Sequence, residues 1–211
     1  ASLTADTFAL LVDLSDTELF GPASSHTLPS VVSYDDAGRT TAGTRALYGL
    51  RSNPKRTVFG AKRLIGRTYD SPAVQSLLSR FPFKIVPDAG HRVAVDINGR
   101  PTPLTAISAE ILRAIRGKCE RQLRRPVQRA VITVPAYYND NQRAAVVQAG
   151  RLAGLTVERV LNEPTAAAIA YGVRGAQSAP FLVYDLGGGT FDVSVMATQG
   201  NVLRVLSSAG D

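Results

Sequence analysis

An α/β fold is what this sequence predicts, and three observations predict it. A continuous β-branched run, RAVITV (129–134), is followed by a helical segment and then by a second strand-like run, TVERVL (156–161). Capping and breaking residues stand where that rhythm needs them, at Asn139, Gly154, Asn162 and Gly172. Three further strand-like runs follow at 181–185, 191–197 and 201–207. Strands separated by helices of roughly ten to fifteen residues are the pattern of parallel βαβ units.

Each element has its own reason. Residues 8–14 and 28–34 (LPSVVSY) read as strands, and 91–97 (HRVAVDI) alternates as a strand does before a turn at Asn98-Gly99. From Thr105 to Arg125 the apolar positions Ile107, Ile111, Leu112, Ile115, Cys119 and Leu123 recur at helical spacing, and Pro126 ends the helix. RAVITV reads as a strand buried on both faces. Asn139 or Asp140 caps a helix running to about Leu152 and stopping at Gly154. Asn162 caps EPTAAAIAY, with Pro164 in its first turn and Gly172 just past its end. The segment GVRGAQSAP (172–180) is a linker, and the last two strands are joined at Gln199-Gly200-Asn201.

Composition narrows the function. With 211 residues, 45% hydrophobic, the chain can bury one large core or two small ones. His26 and His91 lie far apart with no cysteine at ligand spacing, which excludes a zinc site. The single cysteine, Cys119, excludes a disulfide framework and reads as a small buried hydrophobe. A net charge of +7 comes mostly from arginine, in blocks such as RRPVQR (124–129) and AKRLIGR (61–67). Without aromatic interleaving, a recognition-helix motif or a basic tail, these point to solvated faces and a polyanionic small ligand, not to nucleic acid. FALLVDL, near the start, carries Asp13, lacks a basic flank and is too short to span a bilayer. A soluble, cytoplasmic protein with no membrane partner is expected.

The segment VYDLGGGTFDVSV (183–195) carries the chemistry. A plain hairpin needs one or two turn glycines, whereas Gly187, Gly188 and Gly189 make three. Bare backbone amides cradle a phosphate, and the flanking carboxylates Asp185 and Asp192 suit its magnesium ion. A purely structural hairpin is the alternative reading.

The motifs YDLGGGTFD (184–192), ITVPAYYNDNQR (132–143), LNEPTAAAIAYG (161–172), AKRLIGR (61–67) and LPSVV (28–32) together resemble the nucleotide-binding domain of the 70-kDa heat-shock-protein chaperones, of the DnaK and HscA type. The resemblance implies the actin-like ATPase (ribonuclease H-like) fold, with ATP or ADP and magnesium between two lobes. It makes residues 1–172 a nearly complete lobe I and 180–211 an incomplete start of lobe II. It implies that Gly187, Gly188, Gly189 and Thr190 meet the phosphates and that Asp185 holds magnesium through water. Lys62, Glu163 and Thr190 are then catalytic, with Lys62 as a point charge on the γ-phosphate and the attacking water. Pro135 and Arg143 match a proline switch coupling nucleotide state to client binding, and Arg159 matches a J-domain co-chaperone contact. A nucleotide-exchange factor and unfolded client peptides complete the implied partners. The residues alone also allow Lys62 as a surface lysine, Glu163 as a helix-dipole partner and Arg159 as an exposed strand-end arginine.

Two departures qualify the resemblance. The family's first phosphate loop is degenerate here, whether SLTADT (2–7) or VDLSDT (12–17) stands in its place. The resemblance reaches only the first strands of lobe II and none of the peptide-binding domain, so residues 1–211 alone are expected to bind ATP weakly or not at all and to be inactive. Val147 and Gln148 stand where the family often has a lysine and an acid. The expectation is an ATP-dependent chaperone whose nucleotide state controls client-peptide binding. The alternative is a non-hydrolysing relative serving as a binding or scaffolding module, and a sugar kinase of the same superfamily is a more distant third. The apolar strands 181–207, more than a lone meander covers, are expected to be disordered, to pack on lobe I or, chiefly at high concentration, to add edge-to-edge to a second molecule.

Overall fold

A computed structural model describes residues 27–171, 179–186, 191–200 and 202–210. The proposed strand at 8–14, both candidates for the first phosphate loop, His26, residues 172–178 of the linker, and Gly187–Thr190 lie outside the described residues.

The described strands form four small sheets. In the first, β1 (Val31–Tyr34) pairs antiparallel with β2 (Thr40–Ala42) and β3 (Thr57–Phe59). The run read as a strand from 28 begins only at Val31, because Pro29 has no amide for a ladder. A helical turn α1 (Gly49–Ser52) precedes β3, and a second, α2 (Pro72–Gln75), follows it. The second sheet is an antiparallel meander of β4 (Ile85–Pro87), β5 (Val93–Ile97) and β6 (Arg100–Pro103). His91 takes φ 56 in a turn closed by its N–H on the Asp88 carbonyl at 3.0 Å, so β5 starts at Val93. Asn98 and Gly99, at φ 53 and 78, form the expected two-residue turn, whose hand matches strand twist.

The long helix α3 (Leu104–Leu123) follows, buried at Leu104, Ile107 and Ala109. It ends where Arg124 turns left-handed, two residues ahead of Pro126. Cys119 is not the buried hydrophobe its helical position predicts. It is only half-buried, toward the far end of α3 from the core residues Leu104 and Ile107, and burial still pushes its thiol up.

The predicted βαβ unit is present. β7 (Arg129–Val134) runs parallel to β8 (Thr156–Asn162), and α4 (Asp140–Leu152) connects them. Of the two candidate caps, Asn139 serves: its side chain accepts from the Gln142 N–H while Gln142 answers on the Asn139 N–H, a capping box. Burial of β7 on both faces does not hold among the described residues. Val131 is 58% exposed, and Arg129 and Thr133 beside it on the same face of the strand are exposed too, so only the alternate residues of β7 turn inward. The last helix, α5 (Glu163–Ala170), carries Pro164 in its first turn.

The final sheet is an antiparallel meander of β9 (Phe181–Leu186), β10 (Phe191–Gln199) and β11 (Val202–Gly210). It packs back against α5. One face buries Asp192, Ser194 and Met196, and the other leaves Leu182, Tyr184, Leu186 and Phe191 exposed. The main core runs through the rest, from Val32 and Val58 through Phe83, Val95 and Ile107 to Val134 and Tyr138. Phe59, Phe81 and Phe83 cluster within it, ring centroids 4.8–5.7 Å apart.

Candidate functional site

The site is assembled at the ends of the parallel strands. Val134 pairs with Asn162, so β7 and β8 leave the sheet at the same edge. In α/β sheets that edge, beyond the carboxyl ends of the strands, is where ligands bind. β7 continues through the fully buried Pro135 into a turn closed by the Tyr138 N–H on the Pro135 carbonyl at 3.2 Å. β8 continues into Glu163, first residue of α5, where a carboxylate meets the positive end of the helix dipole. From the opposite side, β3 passes through Gly60, at φ 66, into the 3-10 turn Ala61–Arg63 that carries Lys62.

These segments meet through a short series of polar contacts. Lys62 Nζ donates to Glu163 Oε2 at 2.9 Å. The Tyr138 hydroxyl donates to the Lys62 main-chain carbonyl. Arg143 Nε donates to the Tyr138 carbonyl at 2.9 Å, and its Nη2 reaches Asn162 Oδ1 at 2.8 Å and the Ala136 carbonyl at 3.3 Å. Asn162 therefore occupies the N-cap position of α5 without making the expected side-chain cap, since its oxygen is taken by Arg143.

Beside this network lies an open cavity of about 550 Å³. Lys62, Arg63, Arg67 and Arg80 line it with Tyr137, Tyr138 and the end of β11, and among the described residues no carboxylate is in its lining. The Tyr137 ring stacks edge-on to Tyr138 at 5.9 Å, and a side chain at Gly210 would begin 3.0 Å from that ring and 2.8 Å from the Phe191 carbonyl, so only glycine fits there. Burial pushes the Tyr137 hydroxyl up, and the nearby charges of Asp192 and Glu163 push it further, against Arg67 and Arg63. Both Tyr137 and the more deeply buried Tyr138, also held well above the usual tyrosine range by burial, stay neutral donors near neutral pH.

On β9 and β10, Asp185 faces Asp192 directly across the ladder. Like charges in that position destabilise a sheet unless a cation lies between or beside them. Among the described residues no three metal-ligating side chains cluster, so a cation there would share its coordination with water or a ligand. Four cations around a cavity, next to a carboxylate pair, suit a polyphosphate carrying a divalent metal.

Of the residues singled out from sequence, Lys62, Glu163, Pro135 and Arg143 come together in one network. Asp185 lies on the neighbouring sheet, and Arg159 stands apart on an exposed position of β8 opposite Val131. Gly187, Gly188, Gly189 and Thr190 fall outside the described residues. Sequence reasoning missed Tyr137, Tyr138 and Asn162 as site residues. Two tyrosines straight after a proline that ends a strand were the available signal for the first two. A family model described as Hsp70 protein matches residues 18–211.

Proposed function

This chain belongs to the Hsp70 family of ATP-binding chaperones, and on that footing we propose that it hydrolyses ATP, with nucleotide state controlling the binding of client peptides. The family's nucleotide-binding domain has the actin-like ATPase fold, and the mixture of helices with four small sheets seen here agrees with part of one. Residues 1–172 are read as lobe I and 180–211 as the start of lobe II.

The observation that carries the reading is that Lys62, which lines the basic cavity, meets Glu163. ATP, when bound with its magnesium ion, supplies the phosphoryl group. Lys62 offers a compact positive charge where negative charge develops, and such charge stabilisation is the main lever in phosphoryl transfer. Glu163 orients that ammonium. Asp185, with Asp192 opposite, is read as the holder of the hydrated magnesium ion, and Gly187–Gly189 with Thr190 as the phosphate cradle. Pro135 and Arg143, packed between the strand ends, are read as the coupling device toward client binding.

The same reading gives the partners: a J-domain co-chaperone at Arg159, a nucleotide-exchange factor, and unfolded client peptides. A cytoplasmic setting fits the single cysteine. Self-association through 181–207 is supported by the exposed Leu182, Tyr184, Leu186 and Phe191 on one sheet face.

Single-turnover phosphate release, measured beside calorimetric ATP binding on the full-length protein, tests the function. Binding with release is the expected result. Binding without release overturns hydrolysis and leaves the scaffolding alternative.

A further inference from the structure

We propose that Tyr138 is a positioning residue for Lys62, its hydroxyl fixing the Lys62 main chain so that the ammonium stands against Glu163. The inference deepens the reading of Lys62 given above and rests on it only for its effect on hydrolysis.

The 3-10 turn does not use the Lys62 carbonyl: the N–H groups of Leu64 and Ile65 both go to the Ala61 carbonyl, at 3.1 and 2.9 Å. The Tyr138 hydroxyl takes it instead, across 76 positions of chain. Tyr138 is itself held at three points. Its ring packs in the main core, its N–H meets the Pro135 carbonyl, and its own carbonyl accepts from Arg143. Arg143 also holds Asn162, whose neighbour Glu163 receives the Lys62 ammonium. The contacts thus close a ring through residues 62, 138, 143, 162 and 163.

Lys62 is gripped at both ends of a flexible four-carbon stem, by Tyr138 at the main chain and Glu163 at Nζ. A phenylalanine at 138 fills the same core volume. What the hydroxyl adds is the hold on Lys62, because a buried hydroxyl is costly unless bonded.

The test compares Tyr138→Phe with the parent in the full-length protein. Residue-resolved labelling of lysine amines by an amine-reactive reagent, read by mass spectrometry, reports how often Lys62 leaves Glu163. Labelling of Lys62 is expected to rise about three- to tenfold, the factor for one lost hydrogen bond, with Lys55 and Lys84 unchanged. Single-turnover hydrolysis is expected to fall by a similar factor at unchanged ATP affinity, with no further loss when Tyr138→Phe is added to Lys62→Ala. Unchanged labelling at Lys62 overturns the proposal, and so does a uniform rise at all three lysines, which marks a general loss of structure. If the parent hydrolyses no ATP, the functional reading fails while the labelling still decides the role of Tyr138.

Discussion

Lys62 Nζ and Glu163 Oε2 meet at 2.9 Å although 101 positions separate them in the chain. One arrives from the turn after β3, the other from the end of β8, and neither contact partner is deeply buried, the side chains being 41% and 18% exposed. Solvent-screened pairs of this kind contribute about 0–1 kcal/mol to stability. The value of the pair lies in where it places charge.

Lys62→Ala in the full-length protein should therefore lower single-turnover ATP hydrolysis by about a hundredfold or more while ATP affinity changes only severalfold. The melting temperature should move by no more than a few degrees. Unchanged hydrolysis would remove Lys62 from the catalytic residues.

Arg143 joins three acceptors, the carbonyls of Tyr138 and Ala136 and the side chain of Asn162. Its planar fork makes those bonds together, and a lysine ammonium has no equivalent geometry. Arg143→Ala should cost about 2–4 kcal/mol in urea unfolding, and Arg143→Lys should recover less than half of that. Full recovery by lysine would show that charge alone is what the position needs.

Gly66 has φ 72, and a side chain added there would begin 2.5 Å from the Gln142 Cα in the first turn of α4. Gly99 has φ 78 with nothing within 4 Å of that position. Gly99→Ala should thus cost about 1–2 kcal/mol for backbone conformation alone, and Gly66→Ala about 2–5 kcal/mol. Equal costs, measured by denaturant unfolding, would mean that the loop and α4 are not in this close contact.

Glu120 links α3 to the segment that leads into β7. Its carboxylate accepts the Val127 N–H and the Arg116 Nε, both at 3.0 Å, and these bonds hold its carboxyl below the usual range, Val127 first. Because the folded value lies below the unfolded one, the stabilisation is complete above pH about 4.3 and is lost as pH falls through the folded value. The stability gap between the parent and Glu120→Gln should accordingly shrink steadily below pH about 4. A gap that stays constant across that window would rule out the linkage.

The exposed face of β9–β11 gives the last expectation. Leu182 and Leu186 stand 59% and 71% exposed beside Tyr184 and Phe191. If copies associate through this sheet, Leu182→Lys with Leu186→Lys should weaken self-association at least about tenfold in sedimentation velocity, since each places a charge in an apolar contact. A protein that is monomeric at high concentration before substitution would exclude this interface.

Local signals in the sequence determined much of this protein. RAVITV and TVERVL became β7 and β8, Asn139 became the cap of α4, and Asn98-Gly99 became a left-handed turn, because periodicity, capping and turn chemistry act over a few residues. The motif residues Lys62, Glu163, Pro135 and Arg143 were legible for the same reason, as short strings. Tertiary structure alone decided what those strings touch. The Val134–Asn162 register brings Tyr138 and Glu163 to one edge, and that placement gives the Tyr138 hydroxyl to Lys62 and diverts Asn162 from its helix to Arg143. Tertiary packing likewise leaves Val131 exposed and Cys119 half-buried, against their local pattern. Burial and long-range hydrogen bonds depend on which distant surfaces meet, and no window of a few residues contains that information.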